Sequence, residues 1–121
     1  MSHIVTVQTK VHDPVAVANA CQRLGLAQPI HGTAQLYSGA ATGLLLQLPE
    51  WQYPAVIDTG SGVIHFDTYN GAWGDQVHLD RFLQRYAVEK ATLVANKHGH
   101  RVCEELLQDG SIRLEIFEGG G

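Results

Sequence analysis

Cysteine, basic charge and long apolar runs are all in short supply in this chain, and each shortage removes a class of protein. The two cysteines, Cys21 and Cys103, lie far apart, which is neither the CxxC spacing of a zinc site nor a disulfide framework. Both read as buried free thiols. The longest apolar runs, Leu44-Leu45-Leu46 and Ala55-Val56-Ile57, fall far short of the roughly 20 residues a membrane-crossing helix needs. Met1-Ser2-His3-Ile4 shows no basic segment leading into an apolar one, so the expected location is cytoplasmic, with no membrane contact. Lys and Arg number 8 against 12 Asp and Glu, for a formal net charge of -4, and they are scattered. That distribution leaves no footprint for a nucleic acid backbone. Also missing are GxxxxGK followed by Ser or Thr, GxGxxG, HExxH and GxSxG, the signatures of phosphate loops, dinucleotide folds, zinc proteases and hydrolase elbows.

What is present suits one globular core. A chain of 121 residues with 45% hydrophobic and 17% charged residues is large enough to bury a core and too short for two. Residues 3–9 are rich in β-branched side chains and predict a strand. Asp13 as cap and Pro14 in the first turn open a helix whose Val17, Cys21 and Leu24 share one face, and Gly25 stops it. Strands are predicted at 33–38, 43–48, 55–58 and 63–68, with breaks at 39–42 and 49–54 and a hairpin turn at Thr59-Gly60-Ser61-Gly62. The loop Tyr69-Asn70-Gly71-Ala72-Trp73-Gly74-Asp75 then leads into a long helix over 76–98, with Leu79, Phe82, Leu83, Tyr86, Leu93 and Val94 at helical spacing. Two last strands, 102–107 and 112–117, flank an Asp109-Gly110 turn. The order β-α-β-β-β-β-α-β-β predicts a single α+β domain over 1–118, its two helices covering one face of a largely antiparallel sheet, followed by a flexible glycine tail at 119–121.

Met1-Ser2-His3, Arg85-Tyr86-Ala87 in the long helix, and Asp109-Gly110-Ser111-Ile112 before an alternating strand resemble the domain of unknown function 1257 family. That family includes the hypothetical chloroplast open reading frame 35 proteins of algae and cyanobacteria. The resemblance runs along nearly the whole chain and is strongest at its two ends. It implies a non-enzymatic accessory or adaptor protein whose partner is a protein, with an AAA+ ATPase as the expected class. It carries no catalytic motif.

Among individual residues, the aromatics Trp51, Tyr53, Tyr69 and Trp73 flank glycine- and proline-bearing loops, a placement that serves core packing or a partner-binding surface. They are the expected contact residues. The seven histidines include the close pair His98 and His100 beside the helix stop Gly99, but lack a zinc-binding motif, so no metal and no cofactor is expected. A small metal- or ligand-binding enzyme using His3, His65 and His98 is the third reading, and acid–base work would bring His3 or His65 to Asp58 or Asp67. The second reading rests on Gly120 and Gly121. A carboxyl-terminal Gly-Gly resembles the tail of ubiquitin-like and sulfur-carrier proteins, which are activated there, because a tail without side chains threads into an activating enzyme.

Overall fold

A computed structural model describes residues 4–7 and 10–118, with side chains described from residue 10 onward. In chain order the elements are β1 (Ile4–Val7), α1 (Pro14–Leu24), β2 (Ile30–Leu36), β3 (Gly39–Leu46), β4 (Ala55–Asp58), β5 (Val63–Asp67), α2 (Gln76–Lys97), β6 (Arg101–Leu106) and β7 (Ile112–Phe117). From the first helix onward the order is α-β-β-β-β-α-β-β, and every pairing among the described strands is antiparallel. The strand predicted over 3–9 includes residues outside the described ones; Ile4–Val7 pairs with β5.

The single sheet expected from the sequence is in fact two. One has five strands in the order β1-β5-β4-β3-β2; the other is the β6–β7 hairpin alone. The hairpin cannot continue the larger sheet because it sits on α2, where Arg85 donates to Glu104 Oε1 from Nη1 and Nη2 at 2.8 and 2.9 Å. Arg23 of α1 also pairs with Glu104.

The main core forms where both helices meet one face of the five-stranded sheet. Ala16, Val17, Ala20 and Cys21 of α1 and Leu79, Phe82 and Tyr86 of α2 pack with Leu46, Ala55, Ile57, Ile64 and Phe66. Asp13 caps α1, its Oδ1 accepting from the amides of Val15 and Ala16, while its own amide donates to the Tyr86 hydroxyl at 3.2 Å and Lys90 pairs with its Oδ2 at 3.0 Å. The start of α1 is therefore fastened to the middle of α2. Cys21 is buried as expected. Cys103 is not: it is exposed, because the β6–β7 hairpin has α2 on one face only.

The opposite face of the large sheet is covered by the sheet's own edge. β3 pairs with β4 only through Leu44–Leu46. Continued straight, β3 would carry Gly39 on the order of 16 Å beyond Leu44 toward the Thr59–Gly62 turn. Instead Ser38, next to Gly39, donates to Asp67 Oδ2 at 3.3 Å, at the other end of β5. The β2–β3 hairpin therefore creases and folds back over the sheet. The crease falls at the cross-strand pair Gly32 and Gly43. A side chain on Gly43 would place its Cβ 2.3 Å from the Ile57 carbonyl oxygen, so only glycine lets the backbone turn there. Residues 39–42, predicted as a break, lie inside β3, and the turn is just Tyr37-Ser38 between the paired Leu36 and Gly39. Leu36 and Val56 are fully buried yet outside the main core. They fill the second layer.

Candidate functional site

Two features converge where β5 passes into α2: a tightly coiled loop and a cluster of aromatic rings. Tyr69, Asn70 and Gly71 are successive left-handed residues, with φ of 47°, 55° and 94°. For Tyr69 and Asn70 this conformation is strained. It is held by the Thr68 carbonyl, which accepts from the amides of Gly71 and Trp73 at 3.0 and 2.9 Å. Asp75 then caps α2 through Val77 N at 3.0 Å. The loop rims an open cleft of about 510 Å³ bounded by Thr68, Asn70, Gly71, Gly74, Asp75 and Gln76.

Trp51 supports this loop from below. It is 4% exposed and belongs to the core, its indole Nε1 donating to the Asp75 carbonyl at 2.9 Å while Gln52 N donates to the Trp73 carbonyl at 2.8 Å. Gly74 lies flat on its ring, with no room for a Cβ. Trp51, expected as a contact residue, is thus a strut, because a polar N–H next to a large apolar face suits a buried side chain with one hydrogen-bond partner.

Trp73 is half-buried at the centre of three tyrosines. Tyr69 stacks on it with centroids 4.9 Å apart, Tyr37 leans on it at 5.0 Å, and Tyr53 meets it edge-on at 5.5 Å. Tyr53, Tyr69 and Trp73 are brought together here. Tyr37, from the folded-back hairpin tip, joins them and is 63% exposed. Its role was hidden in the sequence, since it lies more than thirty positions from Trp73 and reaches it only through the crease.

Asp67 ends β5, just ahead of the coiled loop. It is completely buried, one of its oxygens accepts from Ser38, and the other, Oδ1, has no hydrogen-bond partner. A buried oxygen left without a donor costs about 1–3 kcal/mol, and among the described residues it is the one buried side-chain N or O atom without a partner.

The other candidates do not assemble. Asp58 is engaged by its own turn: the Ser61 side chain first, then the Ser61 and Gly60 amides, hold its carboxyl below the ordinary range. His65 shares a strand face with Asp67. His98 and His100 stand at the far end of α2 with ring centroids 6.2 Å apart, and among the described residues no three His, Cys, Asp or Glu side chains gather as metal ligands. Among the same residues no helix is long and apolar enough to cross a membrane. His3, Gly120 and Gly121 lie outside the described residues.

Comparison with family models, curated proteins and solved structures finds no match to this chain.

Proposed function

We propose that the protein is a non-enzymatic adaptor that engages a partner protein through the aromatic surface formed by Tyr37, Tyr53, Tyr69 and Trp73. The observation that carries this reading is the cluster itself: four rings from three separate segments meet around Trp73, and the outermost, Tyr37, is largely open to solvent. Such rings offer much contact area at little cost in side-chain entropy, which is why they dominate binding hot spots. The mounting through Trp51 and the coiled loop fixes Tyr69 and Trp73 in place before binding, which lowers the ordering cost. The family resemblance adds the expected partner class, an AAA+ ATPase.

The test compares the wild-type chain with Tyr37→Ala in co-purification from the native host and in thermal unfolding. Expected is a fall in recovery of an AAA+ ATPase to about a tenth or less, the size of a hot-spot loss, with an unchanged melting temperature. Recovery that is undiminished by Tyr37→Ala would refute the assignment of this surface.

A further inference from the structure

We propose that the segment received at this surface presents a cationic side chain, specifically an arginine, whose guanidinium pairs with Asp67 and lies against the rings of Tyr37, Tyr69 and Trp73. This rests on the adaptor reading and names the chemistry of the partner.

Three observations meet at one point. Asp67 is fully buried with Oδ1 unpartnered. Among the described residues the ion pairs made by Arg23, Arg85, Lys90 and Arg113 all go to other carboxylates, so no described cation meets it. Aromatic side chains flank it along the chain: Ser38, which donates to the other oxygen at 3.3 Å, is the neighbour of Tyr37, Tyr69 follows closely after Asp67, and Tyr37 and Tyr69 both pack on Trp73. A carboxyl group with aromatic rings close by in the fold is complementary to a cation. Arginine fits better than lysine, because its planar guanidinium can stack on a ring and offer a donor fork to a carboxylate at once. The lining of the adjoining cleft points the same way. Its one charged residue is Asp75, and the chain carries a formal net charge of -4, so the approach is electrostatically open to a cation.

Entry requires movement of the hairpin tip. The Ser38 bond, at 3.3 Å, is longer than the usual hydroxyl hydrogen bond of about 2.5–3.0 Å. Tyr37 and Ser38 form the two-residue turn between the paired Leu36 and Gly39. An outward swing of that turn opens a path toward Asp67, and its return brings Tyr37 back against the guanidinium.

The probe is the peptide acetyl-Gly-Gly-Arg-Gly-Gly-amide, with its citrulline counterpart as a neutral control of the same shape, followed by two-dimensional NMR of the full chain. Expected is saturable binding of the arginine peptide that shifts the Trp73 indole N–H, with the citrulline peptide weaker by about tenfold or more, as loss of a charge-assisted pair implies. In Asp67→Asn the two peptides should bind alike. Tyr37→Ala, a change at an exposed position, should weaken the arginine peptide several-fold and keeps the idea testable if Asp67→Asn does not fold. Equal binding of both peptides to the wild type, or an arginine preference that survives Asp67→Asn, or shifts that spare Trp73, would each overturn the proposal. If recovery of the host partner depends on Tyr37 while the arginine preference is missing, the cation site fails and the adaptor reading stands. If recovery is independent of Tyr37, the adaptor surface itself fails.

Discussion

Gly74 and Trp51 form the tightest contact in the loop, and they set a sharp requirement at one residue. A methyl group on Gly74 would stand 2.7 Å from the indole ring carbons. The ring has nowhere to retreat, since its Nε1 is bonded to the Asp75 carbonyl and Phe66 packs on it at 5.6 Å. Gly74→Ala is expected to destabilise the fold by about 1–3 kcal/mol through overpacking, seen as an earlier midpoint in urea unfolding. An unchanged midpoint would contradict this packing. The two thiols offer a second check. Burial pushes the Cys21 thiol up to about 11, from an ordinary 9.0, whereas Cys103 is exposed. Under native conditions near neutral pH a disulfide reagent should titrate one thiol per chain, and two after unfolding. Neither the bareness of Asp67 nor the exposure of Cys103 is legible in the sequence. Each depends on which faces are covered by elements distant along the chain.

At the scale of elements, local chemistry was a good guide where caps and turns decide the outcome. Asp13 and Pro14 open α1 and Gly25 closes it, Ala55–Asp58 forms a strand as expected, and Ile112–Phe117 does so as its alternation indicates. It misled where glycine has two meanings. Gly39 reads as a breaker, but the crease belongs to Gly32 and Gly43, which are ordinary strand residues until the close approach to Ile57 is known. The division into two sheets was equally hidden, because Glu104, one more charge in a strand, proves to be the anchor of the β6–β7 hairpin to Arg85 and Arg23. Arg85 and Glu104 are partly shielded, with side chains 13% and 27% exposed. Glu104→Ala is therefore expected to cost about 1–3 kcal/mol, between the values for surface and buried pairs. Hydrogen exchange should show the loss first in the amides of the β6–β7 hairpin. A uniform loss across all elements would argue against this anchoring.

For the molecule as a whole, titration should limit stability on both sides. The Asp13 carboxyl is held below its ordinary 3.8 chiefly by the hydrogen bond from Lys90. Asp109 is held low by the Ser111 side chain and amide, and Asp58 by Ser61. A depressed carboxyl stabilises the fold above its unfolded value, and that contribution disappears as pH falls through the folded value. On the alkaline side the unfolded Cys21 releases its proton from 9.0 while the folded one keeps it to about 11, so stability falls across that interval. Lys90, raised by Asp13, contributes below its ordinary 10.5 and loses that contribution as pH climbs through its folded value. The melting temperature should be flat near neutrality, drop below about pH 4 and drop again above about pH 9. Asp13→Asn should blunt the acid limb; an unaltered limb would remove Asp13 from this account.

The glycine crease also governs how two copies of the chain can meet. A hairpin that covers its own sheet by doubling back would, with the crease straightened, present the same inner surface to the sheet of a neighbouring molecule, and receive the neighbour's hairpin in return. That is the geometry of domain swapping, in which every contact is kept and only the hinge changes. Gly43 is what makes the self-covering form accessible, since any side chain there meets the Ile57 carbonyl. Gly43→Val, with its preference for extended backbone, should shift the chain toward an exchanged dimer that forms at high concentration and separates only slowly on dilution. Size-exclusion chromatography with light scattering would register it, and a Gly43→Val protein that stays monomeric with unaltered stability would show that the hairpin does not turn at this point.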